Sequence, residues 1–381
     1  MKFLYFLDCY SDGGAELGFA TLVENGFFAN HQLSICAMTG EGLSYERLKA
    51  STIPLHVESF FKNGKLNTWT VITSIFPLIR FIWQWQPDIM IISLARANLI
   101  GRLASLFFPS MKVVTFEHNT NYRNKLAPLL RYTSYLVDGV LVDHHETWEA
   151  VRGLFYPYLA PELSFYVPLV MFPSITEAIP DNSHAGKART PIRIITAGRL
   201  TRQKNYVELL YAIRSLLKDG YNVKLFIAGK GELMDELRDI SIQLGLQDRV
   251  SLPGFLRDWT SRCSEFDIYV QPSLHEGLCI SVLEAMAQGM LVVASDVGGI
   301  KQYGQDRNNM IKIKGETHME IAEGLAAAMT LDSEVVTQLR SNAMRTVKEE
   351  FGPAIVARQW HSAMENLLKL AGSGKKYVPK T

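Results

Sequence analysis

The chain has 381 residues, 48% hydrophobic and 20% charged, with 39 Lys and Arg against 38 Asp and Glu. That is length for two ordinary domains, and the balanced charge excludes a global field that would recruit nucleic acid. Four scattered cysteines, Cys9, Cys36, Cys263 and Cys279, form no C-x-x-C pair, which argues against a disulfide framework or a zinc site and for a reducing compartment.

In chain order, Lys2–Leu7 reads as a buried strand whose apolar run stops at Asp8, too short for a signal peptide. Ser11-Asp12-Gly13-Gly14 reads as a turn, and Ala15–Phe28 has the apolar spacing of a helix. Strands follow at Gln32–Ala37, Ile53–Val57, Asp88–Ser93, Lys112–Glu117, Gly139–Val142 and Phe165–Pro168. Helices alternate with them at Trp69–Trp83, Ala97–Phe107, Asn124–Tyr135 and His145–Leu154. The polar, turn-rich Ile179–Thr190 reads as the end of a linker. The alternation then restarts with strands Ile192–Ala197, Val223–Ala228, Val250–Leu252, Ile268–Val270 and Leu291–Ala294, and helices Tyr206–Leu217 and Glu232–Leu244. The tail after Ser333 is helical and broken at Phe351-Gly352-Pro353, with a frayed end at Lys375–Thr381. Alternating strands and helices predict parallel, doubly wound α/β sheets. The expected layout is a domain over 1–170, a linker over 171–190, a second domain over 191–352, and a C-terminal helix over 353–381 crossing back to the first. Two such halves would leave a cleft between facing sheet ends. No run of about 18 uncharged apolar residues is present to span a bilayer, and the expected location is the cytoplasm.

The most informative stretch is Gln271–Gly299, QPSLHEGLCISVLEAMAQGMLVVASDVGG. Glu276 sits in a loop and Glu284 in the helix that follows, ahead of another strand. Unpartnered N–H groups at that helix start attract an anion. Two carboxylates beside an anion site suit a ligand carrying both phosphate and hydroxyls, as a nucleotide-sugar does. Arg199 and Lys204 lie between a strand and a helix, where they could face a diphosphate; ordinary solvation of a helix start is the plain alternative.

These pieces together resemble the retaining glycosyltransferases of sequence family four. HEGLCISVLEAMAQG resembles that family's E-x7-E motif and helix. Ala197-Gly198-Arg199-Leu200 with Lys204 resembles its G-R-L-x-x-x-K segment, and Gly13-Gly14-Ala15-Glu16 its G-G-A-E loop. Phe116-Glu117-His118-Asn119 sits where the family often has a histidine near the donor sugar. The resemblance covers nearly the whole chain, with the motifs in family order. It implies the GT-B fold: two Rossmann-like doubly wound domains facing across a cleft.

It also implies roles. Glu284 would bind the ribose hydroxyls, since a carboxylate can accept both bonds of a cis-diol, and Glu276 the hydroxyls of the transferred sugar. Backbone amides of Gly277, Leu278, Cys279 and Ile280 would meet the diphosphate or sugar. The alternative for the two glutamates is an exposed loop residue and a helix-face residue favourable to the dipole. His118 would touch the donor sugar, or else be a packed histidine. Gly13 and Gly14 would let the backbone approach the ligand, or simply form a tight turn. Gly229-Lys230-Gly231 mimics a dinucleotide fingerprint but has Met234 in place of the third glycine; the family has a similar pair near the nucleotide. Departures at Leu291, Gln302, Asn309 and after Pro168 bear on donor identity and hinge behaviour rather than reaction class.

The expected activity is retaining transfer of a sugar from a UDP- or GDP-sugar to a saccharide or lipid-linked acceptor in surface polysaccharide or glycolipid synthesis. His118, Arg199, Lys204 and Glu276 would carry it, with no metal and no cofactor besides the donor. The acceptor is expected in the N-terminal half. There, Phe60-Phe61-Lys62 with Lys65, the aromatic helix Trp69–Trp85, and Arg123, Lys125 and Arg131 beside Leu126–Leu130 suggest peripheral docking on the anionic inner face of a membrane. Core-facing helices with solvated lysines are the alternative. The competing functions are a non-catalytic nucleotide-sugar-binding protein and a GT-B sugar-nucleotide epimerase.

Overall fold

Along the first strand, β1 (Lys2–Cys9), successive side chains enter two different apolar layers. Phe3, Tyr5 and Leu7 pack with Phe19, Leu22 and Val23 on one face. Leu4 and Phe6 pack with Leu78, Ile82 and Ile100 on the other. A strand buried on both faces is the signature of a parallel sheet covered by crossover helices. The chain is described from a computed structural model, over residues 1–10, 13–51, 53, 55–62, 66–118, 126–155, 159, 163–172 and 191–372. The expected turn residues Ser11 and Asp12, the linker at 173–190 and the tail from Lys375 lie outside the described residues.

The chain divides into two units, Met1–Met171 with Pro353–Thr381, and Phe172–Gly352. The first holds β1, β2 (Gln32–Thr39), β3 (Leu55–Phe61), β4 (Ile89–Ser93), β5 (Lys112–Glu117), β6 (Gly139–Val142) and β7 (Ser164–Tyr166), in the order β3-β2-β1-β4-β5-β6-β7. The second holds β8 (Ile192–Ala197), β9 (Val223–Ala228), β10 (Val250–Gly254), β11 (Ile268–Gln271), β12 (Leu291–Ser295) and β13 (Ile311–Ile313), in the order β10-β9-β8-β11-β12-β13. All the strand pairs are parallel. Both units are therefore doubly wound, Rossmann-like α/β sheets. Each strand order reverses once, between β1 and β4 and between β8 and β11.

Some expectations needed correction. The single helix expected at Trp69–Trp83 is two, Thr68–Thr73 and Ile75–Trp85. Pro77 has no N–H and its ring would press on the carbonyl four residues back, so it sits in the first turn of a new helix. Asn67 and Thr70 form a capping box that starts the earlier one. The strand expected at Ile53–Val57 starts at Leu55 and runs to Phe61, which puts Phe60 and Phe61 in a sheet; Phe60 packs against the core cluster of Leu4 and Phe6. Lys62 next to them pairs with Glu41 at 3.6 Å. Phe60 thus does not face outward as part of a docking surface.

The C-terminal helices Ser333–Phe351 and Pro353–Gly372 are separated at Gly352, because the residue before a proline is driven out of the helical region. Gly352 is extended, at φ −71° and ψ 157°. The last helix belongs to the first unit: Val356, Trp360 and Leu367 lie in the same cluster as Phe28 and Phe116. Trp360 is 1% exposed and satisfies its indole by donating to the Pro168 carbonyl at 2.9 Å.

Candidate functional site

Where the strand order of an open parallel sheet reverses, the loops leaving the two central strands turn apart and leave a crevice at the carboxyl edge. In the second unit those strands are β8 and β11. The loop after β8 carries Gly198, Arg199 and a short 3-10 turn, Arg202–Lys204; the loop after β11 carries Ser273 and Glu276. Lys204 Nζ lies 2.6 Å from Glu276 Oε1, with side chains only 12% and 6% exposed. Gln203 Nε2 donates to the His275 carbonyl at 2.8 Å, and Leu274 N to the Gln203 carbonyl at 2.9 Å, which fastens one loop to the other.

Glu276 is oriented by a chain of side chains running along β11. Tyr269 OH donates to Gln271 Oε1 at 2.8 Å, Gln271 Nε2 to Ser273 Oγ at 2.9 Å, and Ser273 Oγ to Glu276 Oε1 at 2.5 Å. A fully bonded buried chain of this kind fixes rotamers before any ligand arrives. Burial pulls the Lys204 ammonium down, but Glu276, Cys279 and Tyr206 outweigh it and hold its pKa above the usual lysine value. The lysine therefore stays charged. From the far side, Gly298 takes φ +52°, and a Cβ there would overlap the Glu276 carbonyl oxygen. Only glycine allows that approach.

Cys279 caps the helix Ile280–Ala287 in the left-handed region, at φ 59°, without a side-chain bond to its first-turn amides; its thiol meets Ser281 Oγ at 3.9 Å. Among the described residues, the amides of Gly277 through Ser281 donate to no protein acceptor. Five amides at a helix start, beside the charged Lys204, form an anion-attracting surface. Burial pushes the Cys279 thiol up to about 12, so it is no nucleophile at neutral pH. Leu278 is buried, and its carbonyl accepts from Tyr303 OH at 2.9 Å.

Glu284 lies further along the same helix, its Oε2 accepting from Trp259 Nε1 at 3.0 Å. Burial raises its carboxyl to about 7, against the lowering effect of that indole bond. Arg199 is exposed, and its side chain is unpaired among the described residues. Gly229 follows β9, and a Cβ there would overlap the Gly198 carbonyl oxygen; this glycine lets the β9 loop lie against the Arg199 loop. One sheet edge thus gathers Arg199, Lys204, Gly229, Glu276, the Gly277–Ile280 amides and Glu284. Sequence reasoning missed Trp259, Gln271 and Ser273 as supports, because no local motif marks a contact across 25 residues or a relay along one strand.

Gly13, Gly14 and His118 lie in the first unit. Gly13 caps the helix Gly14–Glu24 without a side-chain bond, and Glu16 stands in its first turn. His118 follows β5 and is almost buried, with Nε2 2.9 Å from Ser93 Oγ and Nδ1 3.9 Å from Asp143 Oδ2. Burial, reinforced by His144, depresses its pKa to about 3, so the ring is neutral. Thr147 Oγ1 donates to Asp143 Oδ1 at 2.8 Å and contacts His144 Nε2 at 2.8 Å. Burial raises Asp143 to about 7, Glu117 to about 7 and Asp8 to about 6. These acids stand at the carboxyl ends of β6, β5 and β1. The signal that drew attention to His118, polar residues ending an apolar strand, also marks Asp143-His144 after Gly139–Val142. Among the described residues, no group of three or more His, Cys, Asp or Glu side chains could hold a metal ion.

Residues 180–346 match the family model described as Glycosyl transferases group 1. Those residues are thus similar to group 1 glycosyl transferases. An uncharacterized glycosyltransferase of Methanocaldococcus jannaschii is 32% identical over 181 residues, 47% of this chain and 46% of that protein. The amylovoran biosynthesis glycosyltransferase AmsK of Erwinia amylovora is 30% identical over 190 residues, 46% of this chain and 45% of that protein. The chain thus spans about half the length of the curated relatives it matches. Likeness to solved structures extends over both units. The Anabaena protein HepE in complex with UDP-glucose has a TM-score of 0.78 at 20% identity, covering 96% of this chain and 100% of that one. The lipopolysaccharide outer core galactosyltransferase WaaB, in its apo form, has a TM-score of 0.70 at 16% identity with the same coverage. The matched stretch thus falls in the second half of a chain with the GT-B fold.

Proposed function

We propose that the chain is a retaining glycosyltransferase that moves a hexose from a nucleoside-diphosphate sugar, UDP- or GDP-linked, to a saccharide or lipid-linked acceptor in surface polysaccharide or glycolipid synthesis. The observation that carries this reading is the edge of the second sheet, where a fixed, charged Lys204–Glu276 pair stands beside five unclaimed amides and a second carboxylate. Phosphates suit the amides with Arg199 and Lys204, the ribose diol suits Glu284, and sugar hydroxyls suit Glu276. The HepE structure holds UDP-glucose and AmsK belongs to polysaccharide synthesis, which supports the donor and pathway class.

In this mechanism the bond from the anomeric carbon to the diphosphate breaks as the acceptor hydroxyl forms its own bond on the same face. The negative charge left on the diphosphate meets Arg199, Lys204 and the amides, already in place. The acceptor proton passes to a phosphate oxygen, and no residue is assigned as nucleophile. His118, neutral at working pH, is assigned to contact the transferred sugar, and Gly13 and Gly14 to a close backbone approach. No metal is assigned a role, and EDTA should leave turnover unchanged. The first unit would hold the acceptor, and peripheral association with an anionic membrane would bring the chain to a lipid-carried one.

A thermal-shift panel of UDP-, GDP- and ADP-sugars tests the donor, since a ligand at 100 times its Kd stabilises the native state by about 2.7 kcal/mol. One nucleotide class should raise Tm while the others do not. Tm unmoved by every sugar-nucleotide would defeat the reading, and slow donor hydrolysis without acceptor would separate a transferase from a binding protein.

A further inference from the structure

The helices Thr68–Thr73 and Ile75–Trp85 are apolar on two opposite faces. Leu78 and Ile82 turn inward, into the cluster with Leu4 and Phe6. Trp69, Ile72, Phe76 and Trp83 turn outward and are 74%, 55%, 70% and 69% exposed. Trp69 and Ile72 are three apart on the first helix, and Phe76 and Trp83 seven apart on the second, so each pair shares one helix face; Arg80, also exposed, lies between the latter two in sequence. A surface helix in water keeps its outer face polar, and one apolar all round belongs to a buried or lipid setting.

Charge is sorted along the chain in the same way. Residues 59–137 hold nine Lys and Arg but only two acids, Asp88 and Glu117. Of the cations, Lys62, Arg80, Arg96 and Arg131 are exposed, Arg102 and Lys112 are buried, and Lys65, Arg123 and Lys125 lie outside the described residues. Of the acids, Glu117 is buried and Asp88 accepts from the Lys2 amide at 2.8 Å. The rest of residues 1–170 holds four cations and twelve acids, so a nearly neutral half conceals a cationic segment. That segment also carries nine of the sixteen large hydrophobic residues exposed among the described ones, Leu106, Phe107 and Tyr132 included. Exposed tryptophans with cations and almost no acids match the boundary layer of an anionic bilayer, where indoles sit at headgroup depth and cations meet phosphates. A protein partner would need to be both acidic and broadly apolar to suit the same face.

We propose that the outer apolar side chains Trp69, Ile72, Phe76 and Trp83, with the exposed Arg80, form the face by which this chain docks on anionic phospholipid. This deepens the membrane reading above and rests on it for its purpose, though not for its test. The test is sedimentation of the full chain with vesicles of phosphatidylcholine alone and of phosphatidylcholine containing phosphatidylglycerol. Pelleting is expected with the anionic vesicles, weakened by 0.5 M salt. The Trp69→Ser/Phe76→Ser/Trp83→Ser variant should bind them at least about tenfold more weakly, since peripheral binding scales with the apolar area inserted. All three positions are exposed, and an unchanged Tm and sugar-nucleotide thermal shift would certify the variant's fold and donor site. Retention of wild type in the supernatant with both vesicles overturns the proposal, as does a variant that pellets like wild type. A wild-type dimer that the variant dissolves would assign the face to a second copy and equally overturn it. Vesicle binding and donor binding are separate readouts, so a failed donor reading leaves this result standing, and the converse holds too.

Discussion

The carboxyl edges of the two sheets are built on the same strand order and carry opposite electrostatics. At the second edge, Lys204 and Glu276 are joined at 2.6 Å and the backbone amides beside them are unclaimed. That edge is internally settled and positively inclined toward a ligand. At the first edge, Asp8, Glu117 and Asp143 are buried with raised pKa values, and the neutral His118 stands among them. Cations near these acids are sparse: Arg96 is 3.9 Å from Asp8, and the buried Arg102 acts on Glu117 at longer range. Topology selects where a crevice opens, and the residues at strand ends decide what can enter it. The second edge suits an anion; the first suits neutral hydroxyl groups, as an acceptor presents.

The sharpest way to break this contrast is to remove each cation at the second edge. Arg199 is exposed and unpaired among the described residues, so Arg199→Ala should leave stability alone and lower kcat by about 10²–10³, the usual loss when one preorganised charge-stabilising donor is removed. Lys204→Ala should lower turnover as well, but it also strands Glu276, and orphaning a buried charge costs about 3–5 kcal/mol. Urea midpoints and donor turnover for both variants would check this. Equal stability of the two variants would mean that the Lys204–Glu276 pair is not the buried unit described.

A second test turns on Glu284, whose carboxyl is raised to about 7 by burial. Only the ionised form accepts both ribose hydroxyls, so donor binding should strengthen as pH rises through 7. Between pH 6 and 8 the ionised fraction grows about tenfold, and the affinity for a UDP-sugar, whose diphosphate does not titrate there, should follow. Glu284→Gln should flatten that profile in calorimetric titrations. A wild-type profile already flat across the window would dissociate Glu284 from the ribose.

The sequence carried the two-sheet plan well, since apolar strands alternating with helices leave few other arrangements. The HEGLCISVLEAMAQG stretch located one edge, and the structure places Glu276 and Glu284 on it. Other features were less legible for physical reasons. β13 has only three residues, Ile311–Ile313, and gives no periodicity. The helix His318–Met329 was missed although Thr317 and Glu320 form a capping box, a signal present in the sequence. The Trp259–Glu284 bond and the Gln271–Ser273 relay depend on tertiary placement alone. Asp143 follows a strand of only four residues, Gly139–Val142, and its burial comes from tertiary packing that no local pattern marks.

Asp143 also supplies the smallest and most direct test of the first edge. Its carboxyl lies near 7 in the folded chain and near 3.9 when unfolded. Below about pH 4 both states hold the proton, so burial of this group costs nothing there. As pH rises from 4 to 7, the unfolded chain ionises first and stability falls, levelling off above 7. Glu117 and Asp8 act in the same sense, while His118, depressed to about 3, acts in the opposite sense below about 6.5. Asp143→Asn keeps an oxygen for the Thr147 hydroxyl and removes one of the three acids. It should therefore flatten the loss of Tm between pH 4 and 7 and at pH 8 gain about 2–4 °C over wild type, the shift expected from about 1 kcal/mol in a unit of this size. Tryptophan fluorescence suits the measurement, because five of the six tryptophans lie in the first unit. An unchanged slope would mean that Asp143 is ionised in the folded chain, and the first edge would then be as charged as the second.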